Sequence, residues 1–419
     1  MGTSGSSRSA GSGRSRWPRF TRWALIAAAG VVGFVALALV ALLVFVHSTH
    51  PPRPGAFYLP PSPLPAGPPG TIVRMERVAD APPGSREWKI LYLSKSYTGA
   101  HTAVSGLLFV PTTPAPAGGR RVVVSTHGTI GVASYCVGSN LGPKYWPAID
   151  GLMQFLAAGY VVVAPDYQGL GTPGPHPYLV GDSEASAALD AVRAARHFGP
   201  ADASNQFASF GASQGGQASL FTGQEAGTYA PELKLVGVAA AAPATDLARL
   251  FADNPNGLVA RVLSAYTLDS WSQVYPQLRL DQVATRLAIP IVKKVASICI
   301  GIDENATIAA GLVAQLLAIS YLRAIPWETQ PWKDLIAKNS PGHERIEAPV
   351  LITQGEDDKL VTPAITSAYV EMLCRQGERV EYRTYPGVDH IQAGPQTADD
   401  VARWVGQRFA SEPAATSCH

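Results

Sequence analysis

Two triplets, Val122-Val123-Val124 and Val161-Val162-Val163, constrain this chain more than any other feature. Successive side chains of a strand point to opposite faces of its sheet. A strand with one wet face alternates apolar with polar residues. A run that does not alternate is covered on both faces, as in a parallel sheet flanked by helices. Comparable apolar runs fall at 121–125, 160–164, 207–210, 235–240, 350–354 and 380–385, with helical patterns at 184–197, 215–225, 363–375 and 397–409 between them. Earlier strand-like runs at 72–78, 89–94 and 104–110 have short links and read as an antiparallel edge. The fold class is therefore α/β, a mostly parallel sheet flanked by helices.

One interval breaks the rhythm. Roughly a hundred residues separate the strand ending near Ala244 from the strand at 350–354, far more than a plain connection needs. Helical patterns at 247–252, 258–266, 281–287 and 309–323 mark residues 246–347 as a helical cap inserted late in the sheet. The main domain is expected over 71–245 and 348–412.

The amino terminus has a different character. Residues 24–46 contain no charge and are long enough for a helix to cross the roughly 30 Å hydrocarbon core. Before them, the Arg/Ser/Gly-rich tail 1–23 carries five arginines and no acid, which orients the tail to the cytoplasm and the body outside. The segment reads as a transmembrane signal anchor or as a cleaved signal peptide. Its length exceeds the usual 7–15-residue apolar core of a signal peptide, and Val46-His47-Ser48 is a mediocre cleavage site. Both readings put the body outside the cytoplasm. Residues 47–70, dense in proline, read as an extended linker.

The formal net charge is +2, so the body beyond the basic tail is mildly acidic. It offers no basic stripe for nucleic acid. Cys136, Cys299, Cys374 and Cys418 suit disulfides in an oxidising compartment, with three pairings open. No two have C-x-x-C spacing, which argues against a metal site.

Gly211-Ala212-Ser213-Gln214-Gly215 fits G-x-S-x-G. It follows one of the apolar strands directly and opens a helical pattern, the setting of a nucleophile on a strained strand-to-helix turn. A serine hydroxyl becomes a nucleophile when a histidine takes its proton and a carboxylate holds that histidine. In this fold the chain order is serine, acid, histidine. The strand at 350–354 leads into Gly355-Glu356-Asp357-Asp358, from which Asp358 is taken as the acid and Asp357 as the fallback. Only His390 and His419 follow it, and His390 sits on a loop between the last strand and the last helix. For the oxyanion, one backbone donor is expected from Gln214 and the other from Thr129 or Gly128 in the loop after the 121–125 strand. His127, Asp166 and His176 are expected to be structural, His176 also as a possible pocket wall.

Thr126-His127-Gly128-Thr129, Asp166-Tyr167-Gln168-Gly169-Leu170-Gly171-Thr172-Pro173-Gly174, His176-Pro177-Tyr178, 211–216, 355–363 and 387–390 together resemble the secretory lipase family. These are α/β-hydrolases related to fungal lipase A and its actinobacterial relatives. The resemblance covers roughly 54–409. It implies the α/β-hydrolase fold, a helical cap over a deep acyl pocket, and a lipase or carboxylesterase using neither metal nor cofactor. It also implies disulfides, paired as Cys136–Cys299 and Cys374–Cys418.

The expectation is thus a membrane-anchored or secreted serine ester hydrolase that transfers an acyl group through Ser213, with an acyl ester, most simply a lipid, as substrate. Three rivals share parts of the pattern: an envelope acyltransferase with the same triad, a peptidase, and a catalytically dead binding protein.

Overall fold

The computed structural model of this chain describes residues 1–2, 19–253, 257–317 and 321–418. Most of the basic tail, residues 3–18, lies outside the described residues, as do positions 318–320 of the last cap helix expected from sequence. Two compact units result, Met1–Ser48 and Thr49–His419.

The first unit holds one long helix, α1 (Arg19–Ser48). Its stretch Trp23–Ser48 is long and apolar enough to cross a membrane.

The second unit is built on a nine-stranded sheet: β1 (Ile72–Arg77), β2 (Ser85–Lys95), β3 (His101–Pro111), β4 (Arg120–Thr126), β5 (Val161–Pro165), β6 (Ala203–Ala212), β7 (Lys234–Ala241), β8 (Val350–Gly355) and β9 (Val380–Tyr385). Their spatial order is β1-β2-β3-β5-β4-β6-β7-β8-β9. The first three strands pair antiparallel, and β3 meets β5 antiparallel. From β5 onward every pair is parallel. The mostly parallel α/β sheet with an antiparallel edge is therefore observed.

The valine triplets lie side by side, Val122 opposite Val161, Val123 opposite Val162 and Val124 opposite Val163. Val123 and Val162 enter the core on one face, with α2 (Leu152–Ala157) and α12 (Ala393–Phe409). Val122, Val124, Val161 and Val163 enter the core on the other face, beneath α3 (Gly181–His197) and α4 (Gln214–Tyr229). A third cluster packs α11 (Pro363–Arg375) on β8 and β9. All six valines are fully buried, which is why neither triplet alternates.

Between β7 and β8 the chain forms α5 (Leu247–Ala252), α6 (Leu258–Val274), α7 (Leu280–Val283), α8 (Ile289–Ala296), α9 (Glu304–Ala314) and α10 (Trp332–Lys338). Several details differ from the sequence reading, among them α10, where no helix is expected, and α6, which runs on past 266 to Val274. The helix expected over 281–287 is a single turn, and Ile289 opens a separate helix with Pro290 in its first turn, where proline's missing N–H costs nothing. The last expected cap helix starts earlier, at Glu304, because Asp303 caps it by accepting from Ala306 N at 2.9 Å. The proline-rich linker is docked in part: Phe57 and Tyr58 are buried in the domain core, and Arg74 donates to the carbonyls of Ala56 and Phe57.

Candidate active site

Ser213 stands between β6 and α4 with φ 58° and ψ −118°, a backbone state that a residue with a Cβ adopts only under constraint. Its own amide donates to Ala241 O at 2.9 Å, and its carbonyl accepts from Gln217 N and Ala244 N. The flanking glycines are needed because the turn presses against the end of β4. A Cβ on Gly211 would lie 2.2 Å from Thr126 O, and one on Gly215 only 2.0 Å from it. Thr126 Oγ1 in turn sits 2.7 Å from Gly215 O and fastens the helix start to the strand.

Facing Ser213, His390 comes from the loop between β9 and α12. Its Nε2 lies 2.9 Å from Ser213 Oγ, and its Nδ1 lies 2.7 Å from Asp358 Oδ2. With the proton on Nδ1, His390 donates to Asp358 and accepts from the serine. Asp358 is fully enclosed and follows β8. Its Oδ1 accepts from the amides of Leu360 and Val361 at 2.8 and 2.9 Å. Gln354 Nε2 reaches Oδ2 at 3.3 Å and is itself held by Val361 O and by Thr366, whose hydroxyl donates to Gln354 Oε1 at 2.6 Å. Glu356 and Asp357 point to solvent.

A cavity of about 330 Å³ opens on this relay. Gly128, Thr129 and Ile130 form one wall and Ser213, His390 and Ile391 another; Val259, Leu263 and Ile300 come down from the cap. Gly128 runs so close to β6 that a Cβ there would lie 3.3 Å from Ala212 O. Thr129 Oγ1 is hydrogen-bonded to Tyr178 OH at 2.8 Å. Gln214 is the first residue of α4, where a backbone N–H has no partner within the helix.

His127, Asp166 and His176 are all buried and serve the framework. His127 Nδ1 is 2.7 Å from Gly128 O and Nε2 3.2 Å from Asp166 O, and burial lowers its pKa. Asp166 accepts from Ser105 Oγ at 2.6 Å and from Ser139 N and Oγ. Burial pushes His176 down to about 3, and it does not line the cavity with Ser213.

Two acidic residues near the site carry no motif. Asp150 lines the same cavity as Ser213, and its carboxyl takes a hydrogen bond from the Ala212 backbone. Enclosure raises it to about 7. The start of α12 packs closely on this carboxyl, since a Cβ built on Gly394 would lie 2.3 Å from Asp150 Oδ1. Glu184, in the first turn of α3, accepts from Gln214 Nε2 at 2.7 Å. Neither directly follows a strand-like run of the sequence, the mark that singles out Asp358.

Disulfides join Cys136 to Cys299 and Cys374 to Cys418. The first ties the segment after the Gly128–Ile130 wall to the cap, and Ile300 N adds a hydrogen bond to Ile130 O at 3.0 Å.

The model for the secretory lipase family matches residues 149–417, well over half of the chain. The chain belongs to the secretory lipase family. Among its relatives, a Mycobacterium tuberculosis protein named as a probable inactive lipase is 24% identical over 389 residues, 85% of this chain and 82% of that protein. A secreted triacylglycerol lipase of Malassezia globosa is 24% identical over 401 residues, 87% of this chain and 80% of that one. In fold, this member of the family is similar to Candida antarctica lipase A in its closed state, with a TM-score of 0.74 at 17% identity over 88% of this chain and 89% of that one. It is also similar to a rice cell wall degrading esterase of Xanthomonas oryzae, with a TM-score of 0.67 at 18% identity over 82% and 99% of the two chains. Both neighbours are α/β-hydrolases. Family, disulfides and the apolar amino-terminal helix fit secretion or another extracytoplasmic placement.

Proposed function

We propose that this secretory lipase is an active serine ester hydrolase that cleaves acyl esters, lipids among them, through an acyl-enzyme on Ser213. The observation that carries the reading is the relay itself: hydroxyl, imidazole and carboxylate stand in hydrogen-bonding sequence at 2.9 and 2.7 Å, open to a cavity. A relative named as inactive makes this the point that matters, because all three groups are present and in contact here.

On this reading the reaction is a two-step acyl transfer. Ser213 Oγ bonds to the ester carbonyl carbon as its proton passes to His390 Nε2. Asp358 holds the imidazolium by its Nδ1–H. The carbonyl π electrons move onto oxygen, and that oxyanion accepts from the N–H of Gln214 and of Thr129 or Gly128. Collapse of the intermediate expels the alcohol oxygen, which takes the proton from His390. Water then repeats the sequence, giving a proton to His390 while its oxygen bonds to the acyl carbon; the bond from that carbon to Ser213 Oγ breaks, Oγ takes the proton back from His390, and the carboxylic acid leaves.

The apolar contribution of Val259, Leu263, Ile300 and Ile391 to the cavity suits an acyl chain. The amino-terminal helix is proposed to hold the domain on the outer side of a membrane.

The test is hydrolysis of p-nitrophenyl esters of increasing chain length by wild type and Ser213→Ala. The variant should lose on the order of 10⁶ in kcat, as triad knockouts do. Near-wild-type turnover by Ser213→Ala would remove the proposal.

A further inference from the structure

We propose that Glu184 is a positioning residue of the oxyanion hole, acting as a neutral acid through the Gln214 side chain. The inference rests on the reading of Ser213 as nucleophile and of Gln214 N–H as an oxyanion donor.

Glu184 is fully buried. Its Oε1 accepts from Gln214 Nε2 at 2.7 Å and from Leu179 N at 3.2 Å. Fixing the Gln214 side chain limits rotation of the residue whose amide must meet the oxyanion. The same segment reaches the opposite donor loop, because Tyr178 OH is bonded to Thr129 Oγ1. Leu179 between them has φ 55°, a left-handed state that a leucine keeps only when its surroundings hold it, and Glu184 binds its amide. Residues 178–184 therefore touch both sides of the proposed hole.

The surroundings favour the protonated acid. The titratable side chains facing Glu184 are the phenols of Tyr167 and Tyr178, which stay neutral because burial raises both. Asp182, on the same helical turn, is exposed and paired with Lys338 at 3.0 Å. Burial raises Glu184 to about 8. Glu184 Oε2 and Gln217 Oε1 are both buried acceptors without a hydrogen bond, and both side chains meet Leu179, one at its N–H and the other at its C=O. A proton on Glu184 supplies a donor that this acceptor-rich corner lacks. Ionised, the same group would set a negative charge behind the amide that must stabilise another negative charge.

Two variants of the full chain test this with a short-chain p-nitrophenyl ester, alongside Ser213→Ala. Glu184→Gln keeps an acceptor oxygen without the charge. At about pH 7 it should stay within about threefold of wild type, and its advantage should grow about tenfold by about pH 10 as wild-type Glu184 ionises. Glu184→Ala should lower kcat by about 10- to 100-fold with KM within about twofold, since only the transition state carries the oxyanion. A Glu184→Gln profile parallel to wild type across that range overturns the inference, as does full kcat in a folded Glu184→Ala. If Glu184→Ala does not fold, the Glu184→Gln profile decides alone. Should Ser213→Ala be dead while both Glu184 variants match wild type, only this inference falls. If Ser213→Ala is as active as wild type, the reading beneath it falls too.

Discussion

At the scale of single residues, Asp358 and its neighbour Asp357 show what a local fold decides. Three consecutive carboxylates follow β8, and nothing in their order says which one turns inward. The structure turns Asp358 inward, where its two oxygens meet two backbone amides, Gln354 and His390. Asp358→Asn should therefore cost about 10⁴ in kcat by holding the wrong histidine tautomer. Asp357→Asn, a change at an exposed side chain, should leave kcat within about twofold. Steady-state kinetics of the pair checks both. Equal losses would mean that the loop is rearranged. Buried acids also give a stability signature. Glu184 is raised from 4.5 to about 8, so between those values the folded protein holds a proton that the unfolded chain has released. Its contribution is present in full below about pH 4.5 and is lost progressively as pH rises to about 8, at roughly 1.4 kcal/mol per pH unit at most. Thermal melts of Glu184→Gln should fall less steeply over that window than those of wild type. Superimposable pH dependences would contradict the raised value. Glu184 and Asp150 escape a reading of the sequence because their hydrogen-bond partners lie far along the chain, at Gln214 and the Ala212 backbone.

The elements around the site were legible where backbone physics leaves a mark. Unalternating valines announced the sheet, and glycines at 211 and 215 announced the turn, since both are needed where β6 meets α4 beneath Thr126. Gly215→Ala is accordingly predicted to yield little folded protein, while Gly227→Ala, with open space at its Cβ, should fold normally and make a fair control in expression and melting assays. Equal yields from both would show that the elbow has more room than these contacts allow. The cap was harder to read. Apart from α6 its helices are short, and their placement depends on capping side chains and on tertiary contacts such as Trp271 Nε1 to Tyr178 O at 2.7 Å and Ser270 Oγ to His176 O at 2.6 Å. Those bonds fix α6 to the 176–178 segment on one side, and the Cys136–Cys299 disulfide holds the cap near the Gly128–Ile130 wall on the other. That bridge closes a sequence separation of 163. Opening it should cost about 5 kcal/mol on the chain-entropy model. Denaturant melts of Cys136→Ser/Cys299→Ser against wild type measure the loss; an unchanged midpoint would mean that the cap is held by its hydrogen bonds and packing alone.

For the whole molecule, a helix long and apolar enough to span a bilayer and a two-disulfide domain of the α/β-hydrolase fold form separate compact units. If α1 anchors the protein, alkaline carbonate should leave it in the membrane pellet, whereas a cleaved signal peptide would release the domain into the soluble fraction. Neither the family nor the fold decides by itself whether this member is active, because a relative of similar length is named as inactive. On the proposed reading, activity depends on Ser213, held in a strained turn 2.9 Å from His390. The most direct test is mass spectrometry of the full chain after treatment with a fluorophosphonate, which reacts with a serine only when its hydroxyl is activated. The account predicts one covalent adduct per chain, on Ser213, lost in Ser213→Ala and His390→Ala. An unmodified protein, or an adduct on another serine that persists in both variants, would contradict it.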